Sequence, residues 1–329
     1  MMDKLIEKFP AQLTESLQIG NAAVLNAHTK EINKIYVAGM GGSGIGADFV
    51  AEMINDECKV PYLVGKGYDI PAYVDSNTLA IISSYSGNTE ETLSAFDKIL
   101  KTGAKVVCVA SGGNVIAKAK ELGLDYIEVP GGWPSPRACL GFSFVLQLFV
   151  IQKLGIISDT ITTQIKAGIN IIKFDQEDIK KNAKKVAAAL YGKTPIIYTT
   201  DRMESVAVRL RQQINENAKL LCWHHVIPEM NHNELVGWKD TRNDVAVIYL
   251  RNKDDFKRNA TRIDINKKIV SKLTETVIEV YSKGASLTEK MIYFVNFGDW
   301  VSLYMSELHG VDNIEVDVID YLKSELAKV

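Results

Sequence analysis

The sequence predicts an α/β protein built from two doubly wound units, each a parallel sheet flanked by helices. Three observations predict it. Short apolar runs that read as buried strands alternate with helical patterns from Lys34 onward, and this alternation implies parallel βαβ units. The same pattern occurs twice, on either side of a helical connector over 160–191. The chain has 329 residues, 47% of them hydrophobic, which suffices for two modest domains. The expected division is an N-terminal domain over 1–155 and a C-terminal domain over 156–329.

Taken in order, residues up to about His28 read as a helical lead-in. Lys34–Ala38 is a strand, 39–46 a glycine-rich turn, and 47–54 a helix. Strands follow at 60–64, 78–83, 105–110 and 125–129, with helices at 90–101 and 115–121. A loop of breakers, Gly131-Gly-Trp-Pro-Ser-Pro136, precedes a strongly apolar helix over 137–154. The second half gives strands at 194–199, 219–223, 245–250 and 276–281. Its helices fall at 204–217, 255–272, 287–308 and 316–327.

Composition removes several classes of function. With 38 Lys and Arg against 40 Asp and Glu, the net charge of −2 argues for neither a nucleic-acid nor an anionic-membrane partner. No apolar run reaches the roughly 18–20 residues that span a bilayer. Four scattered cysteines (Cys58, Cys108, Cys139, Cys222) contain no C-x-x-C pair, and the five histidines no H-E-x-x-H. We therefore expect a cytoplasmic protein without a metal centre or other cofactor. His224 and His225 alternate across a strand and so make a poor ligand pair.

The stretch most charged with chemistry is Ile81-Ile-Ser-Ser-Tyr-Ser-Gly-Asn-Thr-Glu-Glu-Thr92. A buried strand runs into a turn that carries Ser84, Ser86 and Thr89 around Gly87, and a helix follows. A helix N-terminus offers unpaired N–H groups and the positive end of the dipole, which suits a phosphate. An ordinary hydroxyl N-cap is the plainer alternative. Gly39-Met-Gly-Gly-Ser-Gly44 fits the dinucleotide fingerprint after a strand, but the next strand ends Leu63-Val-Gly-Lys66 with no acid for a ribose. Its glycines still indicate a close approach to the backbone, and Ser43 adds a hydroxyl to the same anion. Arg137, after Pro134-Ser-Pro136, is either a surface ion-pair residue or a cation aimed into the crevice at the strand ends. Glu216 ends a helix, and His232 lies in the polar loop Pro228-Glu-Met-Asn-His-Asn-Glu234.

These segments occur together in one known order. The 39–46 glycines, Ser84-Tyr-Ser-Gly-Asn-Thr89, Pro136-Arg137, Glu216-Asn-Ala-Lys219 and Asn231-His-Asn-Glu-x-x-Gly-Trp238 resemble the bifunctional phosphoglucose/phosphomannose isomerases, which have two sugar-isomerase (SIS) domains. The resemblance covers nearly the whole chain. It implies an aldose–ketose isomerase that interconverts glucose 6-phosphate, and mannose 6-phosphate, with fructose 6-phosphate through a cis-enediol(ate), without metal or nucleotide. It places the phosphate on Ser43, Ser84, Ser86 and Thr89, with Gly42 and Lys323 also in the substrate site. Glu216 matches the proton-shuttling base, His232 the ring-opening acid/base, and Arg137 the enediolate stabiliser. It further implies a homodimer in which His232 reaches the neighbouring subunit's site. One departure stands out: many members read Asp-Pro-Thr-Pro before the last helix, where this chain has Asp312-Asn-Ile-Glu315. If that threonine handles the mannose epimer, Ile314 bears on the second activity. The rival readings are an isomerase of another phosphosugar, such as an amino sugar or a pentose phosphate, and a non-catalytic SIS sensor. A sensor would keep the anchor without a Glu/His pair.

Overall fold

A computed structural model describes residues 1–328. The chain forms two compact units: an N-terminal one of residues 8–170 with 286–289, and a C-terminal one of residues 1–7, 171–285 and the chain from Lys290 onward. The first helix, α1 (Met2–Glu7), thus groups with the C-terminal unit. Among the described residues no helix is long and apolar enough to cross a membrane.

The N-terminal unit contains α2 (Phe9–Ala22), β1 (Lys34–Ala38), α3 (Gly41–Ile54), β2 (Tyr62–Gly65), β3 (Thr78–Ser84) and α4 (Glu90–Ile99). It continues with β4 (Lys105–Ala110), α5 (Gly113–Glu121), β5 (Asp125–Glu128) and α6 (Leu140–Lys153). The five strands are all parallel, in the order β2-β1-β3-β4-β5. All seven residues of β3 are buried, as expected of the central strand of a sheet covered on both faces. Phe96 and Ile99 of α4 and Val115 and Ile116 of α5 pack with Ala80, Ile82 and Cys108 on one face. Strand order reverses between β1 and β3, so the crevice at their carboxyl ends is where such a sheet binds ligands.

Two expectations shift here for local reasons. The strand expected at 60–64 begins at Tyr62: Pro61 has no N–H to give a ladder, and only its carbonyl takes part, accepting from Ile35 N at 2.8 Å. The turn expected over 39–46 is instead mostly helix, since α3 starts at Gly41. Its glycines permit that. A Cβ on Gly44 would lie 2.7 Å from the Gly39 carbonyl oxygen, and one on Gly46 only 2.1 Å from Ser143 Oγ of α6. Much of the close approach read from these glycines is therefore made by the chain itself.

Between the two halves run α7 (Thr160–Phe174) and α8 (Gln176–Leu190), the expected connector broken at Asp175. The C-terminal unit follows with β6 (Thr194–Thr200), α9 (Glu204–Ala218), β7 (Trp223–Ile227), β8 (Val245–Arg251), α10 (Lys257–Val270), β9 (Val277–Tyr281), α11 (Leu287–His309) and α12 (Asp317–Leu326). Its four strands are parallel in the order β7-β6-β8-β9. The strand expected at 219–223 is displaced to Trp223–Ile227. Lys219 closes α9 in the left-handed region (φ 58°), and Asn215 Nδ2 holds the Leu220 carbonyl at 2.6 Å, so 219–222 belong to the helix exit. No α-helix makes the crossover from β7 to β8; two 3-10 turns, Glu229–His232 and Glu234–Gly237, stand in its place. Met230, Leu235 and Trp238 of this crossover pack on the sheet with Ile196, Tyr198 and Tyr249.

Candidate functional site

In the N-terminal unit the turns after β1 and β3 meet at the switch point. Ser84, at the end of β3, is buried, and its Oγ lies 2.9 Å from Thr89 Oγ1. The Gly87 amide donates to Ser84 Oγ at 3.1 Å, and the Asn88 amide to Ser86 Oγ at 3.2 Å. From the neighbouring turn, Ser43 Oγ accepts from the Tyr85 amide at 3.2 Å. Gly87 sits at φ 69°, and a Cβ there would strike the Gly112 carbonyl oxygen at 1.9 Å, so only glycine makes this bend. Thr89 occupies the N-cap of α4 yet makes no side-chain cap, its hydroxyl being paired with Ser84. The ordinary N-cap reading thus does not describe this turn. Met40, the N-cap of α3, likewise supplies no side-chain cap, and open space faces the Gly41 position. Two helices therefore point the amides of their first turns towards the edge of the sheet that carries the hydroxyls, an arrangement matched to a dianion.

Around this cradle stand residues that motif reading passed over. Tyr85 accepts from the Trp133 amide at 3.2 Å and donates to the Pro130 carbonyl at 3.3 Å, which ties the 130–136 loop to the turn. Burial pushes its phenol up to about 12, so it remains a neutral donor. Gln147, fully buried in α6, donates from Nε2 to Ser43 O at 3.3 Å, Ser83 Oγ at 3.1 Å and Ser143 Oγ at 3.2 Å. A polar pair four residues apart within the apolar run of this helix, Ser143 and Gln147, was the available signal. Arg137 lies in the 3-10 turn Pro136–Cys139 that packs against α3, with the Pro136 carbonyl 3.6 Å from a Cβ placed on Gly42. It is only 6% exposed, so it does not lie on the surface.

The C-terminal unit carries Glu216, His232 and Lys323. Glu216 is half-buried in the last turn of α9, beside a cleft of about 240 Å³ walled also by Lys219, Glu315, Val316 and Ile319. Since α9 runs from the carboxyl end of β6 back to the start of β7, Glu216 lies at the amino edge of this sheet, where the switch-point rule does not look. The inner face of α9 is polar and held by α11: Arg209 and Gln213 bind Asp299 at 3.1 and 2.9 Å, and Asn217 binds Ser302 at 2.9 Å. Lys219 Nζ donates to the Glu216 and Glu315 carbonyls, both at 2.7 Å. The His232 side chain is exposed and, among the described residues, makes no hydrogen bond or ion pair. Lys323 is 71% exposed on α12 and pairs loosely with Asp320 at 3.7 Å. It does not line the Glu216 cleft, but it lies one turn beyond Ile319, which does. In the loop before α12, the Ile314 amide donates to Asp312 Oδ1 at 2.7 Å.

Among the described residues no group of three His, Cys, Asp or Glu side chains is arranged to hold a metal ion. The His224/His225 pair divides: His224 lies 3.6 Å from Glu204, and burial lowers its pKa, while His225 Nδ1 accepts from the Val226 amide at 2.8 Å.

Two parallel α/β units, the first with hydroxyls and open helix termini at its switch point, define a protein of the SIS class. The SIS domain family matches residues 30–156, and the family described as the bacterial phospho-glucose isomerase C-terminal SIS domain matches residues 179–326. The chain is 37% identical to the bifunctional phosphoglucose/phosphomannose isomerase of Caldicellulosiruptor bescii, over 100% of this chain and 99% of that one. It is 36% identical to the protein of the same name from Aquifex aeolicus, over 89% of this chain and 90% of that one. Its fold resembles the C-terminal domain of glucosamine-fructose-6-phosphate aminotransferase from Francisella tularensis, with a TM-score of 0.76 at 14% identity, over 95% of this chain and 98% of that one. The chain belongs to the bifunctional phosphoglucose/phosphomannose isomerase family.

Proposed function

We infer that the chain interconverts glucose 6-phosphate and mannose 6-phosphate with fructose 6-phosphate. The observation that carries this reading is the cradle in which the Thr89 and Ser84 hydroxyls pair and the α4 terminus is left without a side-chain cap. Ser43, Ser84, Ser86 and Thr89 hold the phosphate there, with Gly42 at the open start of α3. His232 moves a proton between the anomeric hydroxyl and the ring oxygen, which opens the sugar. Glu216 then takes the proton from C2 of the aldose and returns it to C1, while the proton on the C2 hydroxyl passes to O1. Arg137 faces the negative charge that develops on the enediolate oxygens, an electrostatic role in the transition state. Lys323 completes the substrate site from α12. The N-terminal domain carries the anchor, and the C-terminal domain the base and the ring-opening histidine.

We place the enzyme in the cytoplasm, in keeping with four free cysteines. As a homodimer it would lend His232 to the partner's site, which suits an exposed imidazole without a partner of its own. Mixing and refolding Glu216→Gln with His232→Ala protein then raises activity well above that of either alone. No recovery would assign each site to one chain.

A coupled assay on glucose, mannose and glucosamine 6-phosphates, with and without a chelator, tests the activity. Turnover of glucose 6-phosphate that is indifferent to chelator is expected. Turnover of the amino sugar alone, or loss with chelator, would replace this reading. Slow turnover of the mannose epimer alone would trace to the Ile314 loop.

Phosphate anchoring is separable from chemistry. Ser86→Ala or Thr89→Ala removes a hydrogen bond to a charged group, which costs roughly 1.5–3 kcal/mol of binding. Calorimetry with 6-phosphogluconate should show weaker binding by a folded protein, and parental affinity in both variants would move the phosphate elsewhere.

A further inference from the structure

The crossover that carries His232 is anchored by hydrogen bonds on both sides of the histidine. Upstream, Asn231 Nδ2 donates to Asn266 Oδ1 of α10 at 2.8 Å. Downstream, Asn233 accepts from the Glu234 amide at 2.6 Å and donates to Glu229 Oε1 at 3.0 Å, which closes the turn upon itself. Beside the apolar packing of Met230 and Leu235, the polar attachment to the sheet is Glu234, two residues past the histidine. Its Oε1 accepts from the Tyr198 hydroxyl of β6 and, at 3.2 Å, from Trp223 Nε1 of β7; Trp238 Nε1 in turn donates to Tyr198 Oη at 2.9 Å.

Around this network the packing is loose. A cavity of about 430 Å³ opens beside it, lined by Trp223, Glu234, Gly237 and Trp238. Val236, between them, is 81% exposed. Hydrogen bonds to Tyr198 and Trp223 therefore add to the apolar packing of Met230, Leu235 and Trp238 in setting where this part of the crossover sits. Burial, and then the hydrogen bond to Glu234, hold the Tyr198 phenol far above its ordinary range, so it stays a donor to that carboxylate. None of these side chains belongs to the proposed cradle or base.

We propose that Tyr198 and Glu234 are positioning residues that hold the His232 crossover in register for ring opening. This rests on the ring-opening role inferred for His232. It predicts that loosening the network harms one step only, since Glu216 is fixed separately by α9 and α11.

The probe pair is fructose 6-phosphate and 5-deoxyfructose 6-phosphate. The latter has no O5 with which to close a ring and needs no opening. Tyr198→Phe and Glu234→Ala are expected to lower kcat on fructose 6-phosphate roughly 10–100-fold, the scale of a misplacement of about 1 Å. KM and turnover of the 5-deoxy substrate should stay at parental values. Glu234→Gln keeps an acceptor for both donors and should recover most of the loss. Placed in a His232→Ala background, Glu234→Ala should cost nothing further on fructose 6-phosphate. Equal losses on both substrates, or an undiminished loss in that background, would overturn the positioning role. Failure of the parent reading is read separately: His232→Ala alone would then slow the two substrates alike.

Discussion

Glu216→Gln is expected to lower kcat by at least roughly 10²–10⁴-fold, the share a positioned general base contributes. The substitution preserves size and removes the carboxylate charge together with the ability to take a proton. Misfolding is a poor rival explanation. The helix that carries Glu216 is held by the buried Arg209–Asp299 pair and by Gln213 and Asn217, none of which the change touches. Binding should survive as well, because the phosphate contacts proposed above lie in the other unit. The expected signature is a collapsed kcat with KM near its parental value, which marks an interaction used in the transition state. Steady-state kinetics on fructose 6-phosphate check it, and parental kcat would remove Glu216 from the chemistry.

Arg137→Lys gives the second large effect. The charge is kept, but the planar fork that can meet two oxygens at once is lost. Arg137 is buried in a turn packed against the start of α3, so the shorter reach of lysine cannot be recovered by moving through solvent. Loss of one oxyanion-stabilising donor costs roughly 10²–10³ in kcat. We expect kcat to fall more than KM rises, because the enediolate charge appears only along the reaction path. An unchanged kcat with a lowered melting temperature would make Arg137 a structural residue.

Much of this architecture was legible because the strands of a parallel sheet are apolar on both faces. Lys34–Ala38 and Lys105–Ala110 have the bounds their apolar runs predicted, and β3 extends only to Ser84. What misled was backbone geometry that composition does not encode. Glycines at 39–46 read as a turn, yet without side chains they let α3 start against β1 and pack under Ser143. Likewise Leu220-Leu-Cys222 reads as a strand start, but the left-handed Lys219 delays pairing until Trp223.

The site divided along the same line. Hydroxyls and glycines clustered in a few consecutive residues announced themselves. Their supports did not, because Gln147 meets Ser43 across 104 positions, and Tyr198 meets Glu234 across 36. Glu216 was the hardest residue to single out by chemistry, being one carboxylate among many at a helix end. Its cleft exists only once α12 folds back beside α9.

Proton transfer between C1 and C2 at Glu216 is the centre of the account, and incubation with fructose 6-phosphate in D₂O tests it most directly. NMR should show solvent deuterium at C1 of the ketose and C2 of the aldose with the parent enzyme. His232→Ala should still introduce label slowly, through the small fraction of sugar already open in solution. Glu216→Gln should introduce none. Label entering at the parental rate in Glu216→Gln would show that another group moves the proton.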